Sequence, residues 1–271
     1  YVLADINPDL INLYREVMRY PDLVIDAARE LFNSKNSPDG YKEVRVAFNN
    51  QIGTVKTGEL RYGVEMACIM RAAQFLYLNR HAYNGLCRYS RKSGFNVPYG
   101  KYKSVYFPEN EIRLFAEKAN DTKTIFLCAP FQRSLQIVTS GDVVVYCDPP
   151  YLPASETANF PQYHTEPFTE ENHRQLVQVL LEVNRKHGAK VIISNSDTVD
   201  TREIYQPFRL YEISVQRSVS TDKDNRQKAK EVIGVLPVCD GCGRYGCACP
   251  DFRAFIPVRK ITDEQDREFP F

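Results

Sequence analysis

Residues 143–151 read Val143-Val144-Val145-Tyr146-Cys147-Asp148-Pro149-Pro150-Tyr151. The first five are apolar and largely β-branched, which predicts a buried strand. The next four end it with a carboxylate, two prolines and an aromatic ring. In open α/β sheets, ligands sit beyond the carboxyl ends of the strands, so this stretch points to chemistry at a strand end. Two consecutive prolines fix two φ angles and leave neighbouring carbonyls without intrachain donors. Those carbonyls, with the Asp148 carboxylate, can accept both hydrogens of an exocyclic amine while the Tyr151 ring stacks on the attached base. A strand that simply ends in a Pro turn with a capping Asp is the plainer reading of the same residues.

The surrounding sequence supplies the rest of an α/β fold. Thr124–Cys128, Lys190–Ser194, Arg209–Val215 and Glu231–Leu236 read as further strands. Thr169 caps a helix with Leu176, Val179, Leu180 and Val183 on its buried stripe, ending near Gly188. Tyr1–Asp5 reads as the end of a strand. Asn7-Pro8 then opens a helix with Leu10, Ile11, Tyr14 and Val17 on one face. Alternation of this kind predicts a mostly parallel sheet with helices on both faces. A block between about residues 40 and 120 interrupts it as an inserted domain. That block contains a polar loop, an apolar helix at 64–78, a loop-and-hairpin segment, and a helix at 108–119 with Ile112, Leu114 and Phe115 inward.

Of the 271 residues, 43% are apolar and 25% charged, enough for an ordinary globular core. No apolar run reaches the roughly 20 residues of a membrane span, and no secretory signal opens the sequence. Cys68, Cys87, Cys128 and Cys147 are scattered singly, as in a reducing cytoplasm. Residues 80–103 carry Arg80, Arg88, Arg91, Lys92, Lys101 and Lys103 without one acid, so with a net charge of +1 overall the remainder is net −5. The same segment holds Tyr83, Tyr89, Phe95, Tyr99 and Tyr102. Cations interleaved with aromatics and Asn suit phosphate and base contacts, although a solvated basic loop over core aromatics has the same composition.

Several stretches, in order, resemble the DNA adenine-N6 methyltransferases of the Dam type: YVLADINPDLINLY, NRHAYNGLCRY with GFNVPYGKYK, YFPENE with LFAEKA, VVYCDPPY, TANFPQYHTEPFT and ISNSDT. They cover most of residues 1–236. The resemblance implies a Rossmann-like, S-adenosylmethionine-dependent catalytic domain at 1–40 and 120–236. It also implies a helical and loop-rich DNA-recognition domain at 41–119, with 237–271 as a Cys-rich appendage. The implied activity is methylation of N6 on an adenine flipped from duplex DNA, most often within GATC, by a cytoplasmic, DNA-associated monomer. Asp5 is implied to bind the cofactor's ribose hydroxyls and Phe131 its adenine. Asp148 and the Pro149 carbonyl are implied to accept from the target amine, and Pro150 and Tyr151 complete the motif, with Tyr151 stacking on the base. Tyr83, Asn84, Leu86 and Arg88 match a hairpin that reads base edges and wedges into the stack. Asn96, Pro98, Lys101 and Tyr102 fall in the adjoining motif as base or backbone contacts. Ala158, Asn159, Phe160 and Tyr163 belong to a loop expected to close over the flipped base.

The sequence also departs from that pattern. Members carry a Lys-Trp-x-Gly-Gly-Lys segment and a Phe-x-Gly-x-Gly loop for the cofactor, and neither is among these residues, which begin at Tyr1 and include no Trp. The expectation is that the chain as written is a fragment that binds S-adenosylmethionine poorly. Gly241-Cys242-Gly243-Arg244-Tyr245-Gly246 matches G-x-G-x-x-G, but no helix pattern follows and Asp5 already occupies the non-permuted position. Cys239, Cys242, Cys247 and Cys249 in the same segment can enclose a structural Zn²⁺ or stand as free thiols. Two other functions share the amino-group logic or the basic segment. One is cytosine-N4 or RNA adenine methylation; the other is a catalytically silent DNA-binding module.

Overall fold

The computed structural model describes residues 1–50, 61–139, 143–153, 168–216, 228–236 and 259–260. They form two units, Tyr1–Ser134 and the residues from Leu135 on. In the first unit, strand β1 (Val2–Asp5) pairs in parallel with β4 (Ile125–Cys128), running from Val2 opposite Ile125 to Asp5 opposite Cys128. Parallel neighbours need a long crossover. Here it comprises helices α1 (Pro8–Arg19), α2 (Pro21–Ser34), α3 (Pro38–Asn50) and α4 (Arg61–His81), the hairpin β2 (Tyr89–Ser90) and β3 (Gly94–Phe95), and α5 (Glu109–Asp121). A short helix, α6 (Phe131–Ser134), follows β4.

Helix α1 starts where the sequence says it must. The Asn7 side chain accepts from the backbone N–H of Asp9 at 3.0 Å and of Leu10 at 3.3 Å, and Pro8 sits at the first position. Such a cap is worth about 1 kcal/mol. Ile11 and Val17 are buried, and the Tyr14 ring lies 5.1 Å from that of Phe115 and 5.6 Å from that of Phe126. Helix α4 is the pillar of this unit. Ile69, Ala72, Ala73 and Leu76 meet Val24, Ile25 and Ala28 of α2 and Ile112 of α5. Its Phe75, Tyr77 and Leu78 join Phe32, Tyr41, Phe48 and Phe95 in a second, aromatic cluster.

Two expectations change here. Residues 38–50 form a helix where a polar loop was expected, because Tyr41, Val44 and Phe48 recur at helical spacing and are all buried. The Ser-Pro-Asp-Gly run that suggested a loop is the helix entry: Ser37 Oγ accepts from the Gly40 N–H at 3.1 Å. On α5, Ile112 and Ala116 face inward but Leu114 is 64% exposed, since it lies off the stripe that Ile112, Ala116 and Ala119 define.

The second unit is a five-stranded sheet in the order β5 (Val144–Cys147), β6 (Lys190–Ser196), β8 (Lys228–Val235), β7 (Arg209–Gln216), β9 (Arg259–Lys260). Strands β5 and β6 are parallel, as expected of a strand–helix–strand unit, and so are β7 and β9. Strand β8 runs antiparallel to both β6 and β7, which makes this sheet mixed where mostly parallel pairing was expected. The physical reason is the connection: β7 is followed directly by β8 with no crossover helix among the described residues, so the pair folds back on itself.

Helix α7 (Glu170–His187) precedes β6 and starts at the anticipated Thr169 cap, which the structure completes as a capping box. Asn172 N–H donates to Thr169 Oγ1, and Asn172 Oδ1 accepts from the Thr169 N–H at 2.8 Å. It ends at Gly188, whose φ of 71° requires a residue tolerant of the left-handed region. Its inner face buries Leu176, Val177, Leu180 and Val183, and also His173. A short helix, α8 (Val199–Ile204), follows β6. No helix among the described residues is long and apolar enough to cross a membrane.

Candidate active site

Strand register builds the site in the second unit. Parallel pairing sets Cys147 opposite Ile193, so the residues one step further on each strand, Asp148 and Ser194, become neighbours at the carboxyl end. Ser194 Oγ donates to Asp148 Oδ1 at 2.7 Å. Ser194 itself is buried while Asp148 is exposed, so the carboxylate is gripped from below and open above. A carboxylate offers about four lone-pair sites, and one hydroxyl leaves most of them available. Pro149 is buried and Pro150 exposed. The Tyr151 hydroxyl reaches β8, donating to Glu231 Oε2 at 3.3 Å. Burial first, and then the Asp148 and Glu231 charges, push the Tyr151 phenol up to about 12 despite an opposing hydrogen bond with Ser194. Burial also raises Cys147 to about 12, so it is a neutral thiol and no nucleophile.

The loop leaving the motif is held by residues that follow the same strand. Leu152 N–H donates to Asn195 Oδ1 at 2.9 Å, and Ser196 Oγ donates to the Leu152 carbonyl at 2.5 Å. Asn195 Nδ2 donates to the Tyr205 hydroxyl at 3.0 Å, which lies 3.1 Å from His173 Nδ1.

In the first unit, Asp5 ends β1 and its Oδ1 accepts from the Asn7 N–H at 2.7 Å. Parallel pairing brings the chain after β4 to the same sheet end, where Ala129 N–H donates to the Asp5 carbonyl at 3.2 Å. Phe131 begins α6, which packs against β1. A carboxylate and a half-buried ring therefore share one end of this sheet.

A match to the family model described as D12 class N6 adenine-specific DNA methyltransferase runs over residues 1–219. The chain belongs to that family. It is 43% identical to the retron Ec67 DNA adenine methylase of Escherichia coli over 235 residues, covering 87% of this chain and 75% of the relative. It is 42% identical to the DNA adenine methylase of Escherichia coli strain K12 over 236 residues, covering 87% and 78%. To the DNA adenine methylase of Haemophilus influenzae it is 40% identical over 238 residues, covering 87% and 77%.

In this D12 class methyltransferase the basic segment gathers into one surface. Tyr83 N–H donates to the Pro98 carbonyl at 2.9 Å, and Ala82 bridges Tyr99 in antiparallel fashion. Tyr83, Asn84, Pro98, Lys101 and Tyr102, all exposed, are thereby brought together. Asn84 adopts a φ of 54° and Gly85 of 64°, making a left-handed tip that Asn and Gly tolerate best. Asn79 Nδ2 steadies it by donating to the Gly85 carbonyl at 3.0 Å. The Tyr102 hydroxyl donates to the Ala82 carbonyl at 3.1 Å, which fixes the ring over Gly100. Leu86 is half-buried, lining a cleft of about 490 Å³ together with Leu10, Tyr14, Phe75 and Cys87. Arg88 and Asn96 face each other across the hairpin: Arg88 Nε donates to Asn96 Oδ1 at 2.7 Å and Nη2 to the Asn96 carbonyl at 3.1 Å.

The residue behind that hairpin was not legible as functional in the sequence. Tyr89 donates its hydroxyl to Asp9 Oδ2 at 2.7 Å, while Arg71 Nε donates to Asp9 Oδ1 at 2.6 Å. Arg71 Nη1 also reaches the Phe48 carbonyl at 3.0 Å, with its guanidinium 4.0 Å above the Phe48 ring. Asp9 is two residues past the Asn7 cap, so the helix start beside Asp5 and the β2–β3 hairpin share one buried carboxylate. Among the described residues no cluster of His, Cys, Asp and Glu could hold a metal ion. Cys239, Cys242, Cys247 and Cys249 lie outside the described residues, as do Ala158, Asn159, Phe160 and Tyr163.

Proposed function

We propose that the chain transfers a methyl group from S-adenosylmethionine to N6 of an adenine flipped out of duplex DNA, within GATC. The observation that carries this reading is the exposed Asp148 carboxylate at the end of β5, held by Ser194 next to two prolines. Asp148 accepts one N6 hydrogen and the Pro149 carbonyl the other. The amine's lone pair is thereby directed away from both acceptors, and its delocalisation into the purine ring is reduced. When bound, S-adenosylmethionine supplies a methyl group on a sulfonium, already a strong electrophile. The chain's own task is alignment, which can be worth several kcal/mol of barrier. As N6 gains its fourth bond, the proton it sheds passes to Asp148. Tyr151 stacks on the base with its hydroxyl anchored to Glu231.

For the cofactor, the donor set at the end of β1 fits a nucleoside. Asp5 is partly exposed and can accept from a ribose diol, as an acid closing a parallel strand does in dinucleotide sites. Phe131 supplies an apolar face at the same end. We assign residues 1–40 and 120–236 to a Rossmann-like catalytic domain and 41–119 to an inserted target-recognition domain. The exposed group of Tyr83, Asn84, Pro98, Lys101 and Tyr102 supports the second assignment, with Lys101 on phosphate and the left-handed tip entering a groove or the stack. Arg88 and Asn96 read bases by exchanging their mutual hydrogen bonds for bidentate contacts to guanine and adenine.

The test is methyl transfer from labelled S-adenosylmethionine to an unmethylated GATC duplex by the protein at its full natural length, followed by nucleoside analysis. N6-methyladenine is expected with wild type and not with Asp148→Ala. Equal product from the two would refute the assignment, N4-methylcytosine would move it to the cytosine amine, and transfer to a duplex lacking GATC would remove the sequence preference.

A further inference from the structure

A buried polar group lies beneath the Asp148–Tyr151 motif. His173, Asn195 and Ser196 are all 2% exposed or less, as is Tyr205. A buried polar residue is informative because each unsatisfied group costs free energy. Here the bonds run in one direction around Tyr151. Asn195 Oδ1 accepts from the backbone N–H groups of Leu152 and of Ser196, both at 2.9 Å. That fixes which end of the amide is which, so Nδ2 donates to the Tyr205 hydroxyl. Having accepted that bond, the hydroxyl has its own proton to give to His173 Nδ1, 3.1 Å away, when the imidazole is in its Nε2-protonated tautomer. A neutral imidazole accepting at Nδ1 carries its proton on Nε2.

Burial lowers the imidazole's pKa to about 4, against a smaller opposing effect of the Pro150 carbonyl, and Nε2 has no hydrogen-bond partner among the described residues. The chain of bonds therefore meets the backbone at Leu152, whose N–H is held by Asn195 and whose carbonyl is held by Ser196. Leu152 directly follows Tyr151 and lies four residues beyond Asp148.

We propose that His173, Tyr205 and Asn195 are positioning residues, a hydrogen-bonded clamp on the Leu152 backbone that holds the adjoining Tyr151 ring and the Asp148-Pro149 acceptors in line for the target amine. The proposal rests on the functional reading above. None of the three touches substrate. They act through the loop, so losing them lowers the rate of the chemical step and leaves DNA affinity in place.

Two substitutions of His173 test its link to Tyr205. His173→Asn keeps an acceptor near Nδ1 for the Tyr205 hydroxyl, whereas His173→Gln, whose amide falls near Nε2, loses it. In the full-length protein, we expect kcat to fall about tenfold or more in His173→Gln, since small misplacements of reacting groups cost up to about 10²-fold. His173→Asn retains kcat within about threefold, and the KM for a GATC duplex moves in neither. A duplex with 2-aminopurine at the target position supplies a second readout, a weaker fluorescence rise in His173→Gln at saturating protein. Thermal melting is recorded alongside. If kcat simply follows the loss of melting temperature across both variants, or is unchanged in His173→Gln, the clamp is wrong. Should His173→Gln fail to fold, Tyr205→Phe, which removes a single oxygen, carries the test, and an unchanged kcat there overturns the proposal. Asp148→Ala keeps the two failures apart: if it retains activity, the reading of the site falls, whereas its inactivity beside an active His173→Gln removes the clamp alone.

Discussion

Removing the Asp9 carboxylate should unfold the first unit more readily than any surface change, and the structure sets the size of the effect. The Asp9 side chain is 7% exposed and that of Arg71 17%, so both charges are largely out of water. Truncating one partner of a buried pair costs about 3–5 kcal/mol, because the other charge is left uncompensated. Arg71 would keep the Phe48 carbonyl and ring, which points to the lower half of that range. Tyr89 would lose its acceptor, and a hydrogen bond to a charged group is worth about 1.5–3 kcal/mol. Asp9 also stands in the first turn of α1, where its charge adds roughly 0.3–1 kcal/mol against the helix dipole. These contributions overlap, and together they give about 4 kcal/mol for Asp9→Ala. Asp9→Asn, which keeps one acceptor and the shape, should cost about 2 kcal/mol as charge-assisted bonds become neutral ones. Urea unfolding followed by tryptophan-free far-UV signal gives both values. The double variant Asp9→Leu with Arg71→Met should regain more than half of the loss, since an apolar pair of similar size can replace a buried ion pair. A cost below about 1 kcal/mol for Asp9→Ala would refute the reasoning, because the pair would then be solvated and not buried.

Three further outcomes are expected. His173 is held neutral in the fold, with a pKa near 4 against an ordinary 6.5. Its contribution is therefore fully present above pH 6.5 and is lost as pH falls toward 4, about 3 kcal/mol in all. Unfolding free energies of wild type and His173→Gln measured from pH 7.5 to 4 should diverge at neutral pH and converge on acidification, and parallel curves would refute this. Asn7→Ala should cost about 1 kcal/mol of stability through the lost cap, read by thermal melting, while the backbone N–H that Asn7 donates to Asp5 is kept. Gly100→Ala would drive a Cβ into the Tyr102 ring and against the Ala82 carbonyl. Fluorescence anisotropy with a GATC duplex should show weaker binding from the displaced Tyr102, at little cost in melting temperature.

The parts of this fold that were legible in the sequence are those written in local chemistry. Asn7-Pro8, Thr169 with Asn172, and Gly188 each mark a helix end by a side-chain or backbone rule acting over three or four residues, and each sits where that rule puts it. The strand before Asp148 was legible because β-branched residues run into two prolines. Helix α3 was missed because Ser-Pro-Asp-Gly serves equally as a loop and as a helix entry. Only the buried spacing of Tyr41, Val44 and Phe48 decides between them. The antiparallel β8 was missed for a different reason: strand direction is set by the connection, and periodicity carries no sign. The candidate site divides in the same way. Asp148 and Tyr151 announce themselves as polar and aromatic residues at the end of an apolar run. His173 lies on the buried stripe of α7, three residues before Leu176, and reads as one more core position until Tyr205 is seen to meet it.

The two units fix their strand-end acids in parallel ways. In each, an acid stands at the carboxyl end of a parallel strand, Asp5 or Asp148, and is fixed by a nearby donor, the Asn7 backbone N–H or the Ser194 hydroxyl on the neighbouring strand. The fixing groups then lead into long-range partners that a sequence does not display. From Asn7 the chain runs through Asp9 to Tyr89 and the β2–β3 hairpin, and from Ser194 through Asn195 to Tyr205 and His173. In both cases the acid at the strand end is tied to buried polar residues on another element. A substitution far from either carboxylate can therefore alter recognition or rate without touching substrate. The two routes also predict different signatures: damage around Asp9 should appear first in stability and DNA affinity, and damage around His173 first in kcat.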